Sequence, residues 1–305
     1  MGHESPWGLL IVLYLFLAGL SAGAYAVSAL GYLLNPSAYR RLARWGAYLA
    51  PFPVSVGTAL LVLDLGRPWA FYKLFLTLRW TSPMSIGAWL LTLFVGLSLA
   101  YAYLWLPRSW QPWPAADAER GIRWLAIAGL PFALGVAVYT GVLLGAGSRP
   151  LWSTPLLPQL FMASAFSSGV AAVLAALVLA QSHRAQAEEF RLLVVLDLGL
   201  LVLELVILAA TVLYSRLGTL SARAAFDVLL TGSYSRAFWL GLLLVGLLLP
   251  LGLEWNELQR HHSPGGQSRL PGRPLTLATS ALVLIGGLVL RYLMVYAGQQ
   301  SRWIQ

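Results

Sequence analysis

Apolar runs of bilayer-crossing length dominate this chain. A helical span needs about 20 consecutive apolar residues, and the runs that reach that length are residues 7–34, 46–65, 84–106, 122–147, 159–181, 192–214, 238–255 and 275–297. The pattern predicts an all-α polytopic membrane protein with eight transmembrane helices in a bundle, one integral membrane domain over residues 1–305. The longest connections, 107–121, 215–237 and 256–274, are too short to bury a core of their own. In the first span Gly19 and Gly23 lie among Ala18, Ser21, Ala22 and Ala24, and the eighth carries Gly286 and Gly287. Small residues of this kind let two helices approach closely. Glycine and proline otherwise fall mainly at span ends, Pro131 and Gly135 in the fourth being the exception. The first run has no basic leader and runs too long for a cleavable signal peptide, so it is expected to remain as a span.

One interruption stands out, residues 63–85, LDLGRPWAFYKLFLTLRWTSPMS. Asp64 is costly near hydrocarbon unless paired, and Arg67, across Gly66, is the nearest partner. Pro68 stops the helix. Residues 69–80 then read as a short interfacial amphipathic segment, with Phe71, Leu74, Phe75 and Leu78 on one face and Lys73 and Arg79 off it. Thr81, Ser82 and Pro83 signal the next helix start. GRPW and WTSP flank this hairpin, and SRPLW and WSTP flank the next one on the same face, which suggests a duplicated helix pair.

Composition narrows the chemistry. The chain is 59% hydrophobic and 10% charged, against about 25% charged residues in soluble domains. Its net charge of +9 comes almost wholly from arginines placed between the apolar runs, where they meet lipid headgroups, so nucleic acid binding is a poor reading of the basicity. There is no cysteine, which excludes disulfides, thiol catalysis and thiolate-ligated iron–sulfur clusters in this chain. His3, His183, His261 and His262 all lie in the tail or loops, so no haem is ligated within the bilayer. Redox centres, if the protein handles electrons, must belong to a partner or a diffusible molecule.

Eight spans put both termini on one face, face A, with the loops after spans two, four and six. The opposite face, face B, collects eleven of the twenty Lys and Arg residues against eight on face A, Arg291 lying inside the eighth span. The positive-inside rule then makes face B cytoplasmic and face A external, in a cell (inner) membrane.

The polar residues inside the spans fall into two sets. Tyr14 lies ~10 Å and Tyr139 ~12 Å below face A at 1.5 Å per residue. Arg291 stands six residues before the end of its span, Asp64 and Arg67 close the second, and Ser82, Ser85, Ser164, Ser167 and Ser168 open the third and fifth. These groups converge near face A. Tyrosines near span ends often belong to interfacial belts, and serines at helix starts are often caps. An arginine within a span is expensive and is usually paired or functional. In the second set, Asp197 and Glu204 are two turns apart on one face of the sixth span, and Glu254 ends the seventh near face B. They form a proton path inward from face B, or else Asp197 and Glu254 pair with Arg191 and Arg260 at the interface. Glu204 has no basic neighbour in sequence.

LDLGRP, SPMS with Gly and Trp following, VYTG with LL, PLW, LF-AS-FSSG and RY--V-AGQ occur in order between residues 9 and 299. Together they make the chain resemble the NrfD/PsrC family of polysulfide reductase-type membrane subunits. That resemblance implies eight helices without a redox cofactor, and a quinone (menaquinone or ubiquinone) bound near the outer face. It also implies a ferredoxin-like four-cluster iron–sulfur subunit as partner, often serving a molybdopterin catalytic subunit. By motif, Tyr139 would hydrogen-bond a quinone carbonyl, Arg291 and Gln299 would belong to the eighth-span signature, and Asp64 and Arg67 to a docking turn. Where the polysulfide reductase type has an asparagine and a histidine early in the first span, alignment through AGLSAG puts Ile11 and Tyr14. The expected site is thus Tyr139, Tyr14, Asp64 and Arg291 for quinone, Arg67, Lys73 and Arg79 for partner docking, and Asp197, Glu204 and Glu254 for protons. The rival readings are a secondary transporter, which should break its helices at mid-membrane, and a purely structural membrane anchor.

Overall fold

A computed structural model describes residues 7–64, 69, 72, 82–111, 117–180, 187–260 and 273–303. Its helices are α1 (Leu9–Leu34), α2 (Arg40–Leu49), α3 (Pro51–Asp64), α4 (Pro83–Trp105), α5 (Ala118–Gly145), α6 (Leu157–Leu179), α7 (Ala187–Leu217), α8 (Leu220–Leu230), α9 (Ala237–Leu248), α10 (Leu249–Arg260) and α11 (Arg273–Gln300). Among the described residues there is no strand. Among the described residues, eight helices or helix pairs are long and apolar enough to cross a membrane, α2 with α3 forming the second and α9 with α10 the seventh. The protein is a multi-pass membrane protein. The ends of the first and last spans meet, Gln299 Nε2 donating to the Trp7 carbonyl at 3.0 Å.

The second span begins at Arg40, six residues before the predicted start, because α2 has one buried face of Leu42, Ala43, Gly46 and Ala47. The span kinks where Pro51 and Pro53 remove two backbone donors. Ala50 keeps helical angles, φ −59° and ψ −51°, and its carbonyl accepts from Ser21 Oγ of α1. Two turns further along α1, Ser28 Oγ donates to the Ala43 carbonyl. The break is therefore tied to α1 by hydrogen bonds at and just before it. In the seventh span α9 winds as a π-helix before α10 resumes the α form.

α1 is the central helix, packing on α2, α3, α5, α6 and α11. Its closest partner is α6. A Cβ at Gly23 would fall 2.2 Å from the Ala165 carbonyl oxygen and 3.0 Å from Gly169 Cα, so the two backbones touch. α9 and α11 meet the same way at Gly246 and Gly286, where a Cβ on either would lie 2.5 Å from the other's Cα. In hydrocarbon, association rests on packing and internal hydrogen bonds, and small residues supply the approach. Tyr25 ties α1 to α5 by donating to the Leu125 carbonyl at 2.6 Å.

The connection after the sixth span, a loop by its sequence pattern, contains the amphipathic α8. Thr219 caps it, accepting from Ala222 N at 3.2 Å, and Ser221, Ala225, Phe226 and Leu229 are its buried face. Arg67, Lys73 and Arg79, with most of the predicted interfacial segment, lie outside the described residues; Trp69 within that segment is 90% exposed.

Gly23→Val is expected to abolish accumulation of folded protein, because its side chain must displace the α6 backbone. Gly96→Val, where a Cβ meets nothing within 4 Å, should accumulate normally by fluorescence-detected size-exclusion chromatography.

Candidate functional site

Tyr14, in the second turn of α1, is fully buried, and among the described residues its hydroxyl has no hydrogen-bond partner. Tyr139 reaches toward it from α5, close enough for the two phenols to interact electrostatically. The Tyr139 ring fits only because position 87 of α4 is glycine: a Cβ there would lie 1.9 Å from the phenol oxygen. Gly57 likewise brings α3 onto the Tyr14 backbone, with a Cβ there 3.6 Å from Tyr14 Cα. Two phenols thus share a slot bounded by α1, α3, α4 and α5 at the face-A end. A buried hydroxyl without a partner costs about 1–3 kcal/mol, which a ligand oxygen accepting from it would recover.

A tryptophan pair closes this end of the bundle. The 3₁₀ turn Pro150–Trp152 stacks Trp152 on Trp7 with ring centroids 5.2 Å apart. Trp152 Nε1 donates to the Met294 carbonyl at 2.7 Å, in a place open only because residue 298 is glycine. The α5–α6 hairpin is thereby pinned to the first turn of α1 and the last turns of α11.

Arg291 lies deeper. Gly19 of α1 faces its Nη2, a Cβ there falling 3.1 Å away, and Gly19 is ~7.5 Å below Tyr14. The side chain is fully buried. Nη1 donates to Ser164 Oγ at 2.6 Å and to the Gly287 carbonyl at 2.9 Å, and Nη2 donates to the Phe161 carbonyl at 3.3 Å. The Phe161 ring stacks on the guanidinium, 5.2 Å from centroid to Cζ. Ser164 also lies beside Glu204 of α7, a counter-charge of Arg291. The polar groups expected to converge near face A therefore separate into two levels, the phenols above and Arg291 with Glu204 below.

One turn along α6, Ser167 Oγ donates to Asp197 Oδ1 at 2.7 Å. Asp197 is fully buried, and its carboxyl lies beside that of Glu254 of α10. A hydrogen bond between the two would need a proton on one partner. Glu254 in turn interacts with Glu257, one turn on. Glu257, Glu254, Asp197, Glu204 and Arg291 thus follow one another as buried ionisable groups from near face B inward, with Ser167 and Ser164 of α6 beside them. Asp64 sits apart, exposed at the end of α3.

Comparison with known proteins places this arrangement. A family described as "Polysulphide reductase, NrfD" matches residues 1–301. A polysulfide reductase chain of Wolinella succinogenes is 33% identical, the alignment covering 96% of this protein and 94% of that one. The protein belongs to the NrfD family. NrfD of Escherichia coli is 31% identical, over 96% of this protein and 95% of its own length. A selenate reductase subunit of Mesobacillus selenatarsenatis is 26% identical over 81% of this protein and 66% of its own length. Like other NrfD-type proteins, this one is the membrane subunit of an oxidoreductase.

The structure of this NrfD protein brings Tyr14 to Tyr139, and Asp197 to Glu254, in line with the sequence grouping. Asp197 turns to Ser167 and Glu254, away from the interfacial Arg191. Sequence reasoning missed Glu257 and Glu189. Glu257 shares a helix face with Glu254 at three-residue spacing, a signal that could have found it. Glu189, 1% exposed, accepts from the Arg41 and Leu42 amides at 3.2 and 3.4 Å, capping α2 from another helix, for which no local sequence signal exists.

Arg291→Met should destabilise the purified protein by about 3–5 kcal/mol, the cost of leaving a buried partner uncompensated. Glu204→Gln with Arg291→Met should cost less than the sum of the two single variants, as read from thermal unfolding in detergent.

Proposed function

We propose that this NrfD protein is the quinone-reactive anchor of a multi-subunit oxidoreductase. It exchanges electrons between the membrane quinone pool and a ferredoxin-like iron–sulfur subunit docked on face A, and that subunit serves a molybdopterin catalytic subunit. The observation that carries the reading is the buried, unpartnered Tyr14 hydroxyl beside Tyr139, whose ring Gly87 admits. The fit is chemical: a quinone presents two carbonyl oxygens on an apolar ring, and the slot offers two phenol donors between apolar walls. The relatives' names, as parts of polysulfide and selenate reductases, support assembly with catalytic and electron-carrying partners.

When bound, a quinone would supply the two-electron, two-proton couple that this protein lacks. Tyr139 and Tyr14 would orient its carbonyls and polarise them by donating hydrogen bonds. Trp7 and Trp152, stacked at the same end of the bundle, would help to exclude water from the site. Protons reach the site directly from face A, or from face B through Glu254, Asp197 and Glu204, with Arg291 holding charge balance at the inner end of that route. The second route would make turnover electrogenic. Face B, with the larger share of arginines, is the cytoplasmic side, and both termini face outward. Arg67, Lys73 and Arg79, with Asp64 at the rim, are the proposed docking platform for the iron–sulfur partner.

Tyr139→Phe should lower quinol-coupled turnover of the assembled complex about tenfold through loss of one hydrogen bond; wild-type turnover and quinone affinity would remove Tyr139 from the site. Asp197→Asn should leave quinone affinity unchanged while stopping proton uptake from face B in proteoliposomes. Unaltered uptake would leave the face-A route as the proton supply.

A further inference from the structure

At the opposite end of the bundle from the phenol slot, α1 and α7 both pack on α6 and hardly on each other. The gap between them is a groove of about 280 Å³ open toward the membrane. Val170 of α6 is its floor, Leu34 of α1 and Leu192, Leu196 and Leu200 of α7 are among its walls, and Leu42 of α2 closes its face-B end. From Leu192 to Leu200 it reaches ~12 Å inward from face B. Its lining is wholly apolar, so water has nothing to bond there, whereas a hydrocarbon tail needs no partner.

The mouth is predominantly basic. Arg41 adjoins Leu42 and Arg191 adjoins Leu192 in sequence, Arg44 lies on the next turn of α2, and all three are exposed. Arg40 is paired with Glu119 at 3.4 Å. Of the two acids here, Glu189 is buried beneath the α2 amides it caps, which leaves Glu188 as the exposed one. The same cap fixes α2 against α7.

We infer that this groove binds one acyl tail of an anionic phospholipid from the face-B leaflet, with its phosphate between Arg44 and Arg191. Arginine suits the role because its planar fork bonds phosphate in a bidentate way and keeps its charge at the headgroup depth. The bound lipid would complete the packing between α1 and α7 and fix α2, whose kinked continuation α3 forms one wall of the phenol slot.

The test uses the full-length protein purified in dodecyl maltoside, with dioleoyl phosphatidylglycerol and dioleoyl phosphatidylcholine as probes of equal tail length, read by thermal unfolding and by native mass spectrometry. Phosphatidylglycerol should raise Tm and remain bound, and phosphatidylcholine should do so far less. Val170→Phe and, separately, Leu196→Trp should fill the groove and remove the phosphatidylglycerol effect. Arg44→Gln with Arg191→Gln should weaken phosphatidylglycerol binding roughly tenfold, toward the phosphatidylcholine level. Equal stabilisation of the wild type by the two lipids would overturn the inference, and that comparison needs no variant to fold. So would retention of the phosphatidylglycerol effect in a folded groove-filling variant, or its displacement by a long-tailed quinone, which would assign the groove to an isoprenoid tail.

Discussion

Backbone contact between α1 and α6 at Gly23 and Gly169 sets the geometry of everything else. Two helices that touch at their backbones leave no lateral room for side chains at the crossing, so the larger groups collect above and below it. On the face-A side of the crossing, Gly19 and Gly287 leave space for the Arg291 guanidinium, whose Nη atoms would lie 3.1 and 3.3 Å from a Cβ at those positions. The seam that packs the bundle is also the socket for a fully buried arginine.

That socket explains how so much polarity is tolerated in an apolar protein. A guanidinium buried in hydrocarbon is prohibitive alone, yet here it donates to Ser164 and to two backbone carbonyls and stacks on Phe161. Both carbonyls are accessible because the neighbouring residues are small or because the helices run close. Ser164 and Ser167, one turn apart on α6, then give Arg291 and Asp197 each a hydroxyl partner. Serine suits this role since its hydroxyl donates and accepts at once. The phenol slot follows the same logic, glycine at 87 admitting Tyr139 and glycine at 57 admitting α3.

Architecture and site differ in how they are held. The bundle centre is held by glycine crossings and internal hydrogen bonds of α1, while the face-A end is held by aromatic stacking and by the Trp152 and Gln299 bonds to backbone carbonyls. At the face-B end a carboxylate, Glu189, caps a helix distant in sequence. Each end is therefore fixed by long-range contacts to backbone groups, so the slot and the groove are positioned by the whole bundle and not by the loops that border them.

The number of spans, the common face of the two termini, the small-residue seam and the family were legible in the sequence, because hydrophobic run length and local motifs carry them directly. The similar depth of Tyr14 and Tyr139 was legible too, since helix rise converts sequence position into depth. Depth alone could not show azimuth. Arg291 falls within a few residues of the phenols by rise, yet its side chain points to α6 and α7, toward Ser164 and Glu204, a choice made by which helix lies on that side. The α2 start, the kink at Ala50, the π-helical turn of α9 and the caps from Glu189 and Ser21 were likewise decided only by tertiary structure. In each, the partner that satisfies the backbone comes from another helix, and no local pattern encodes which one.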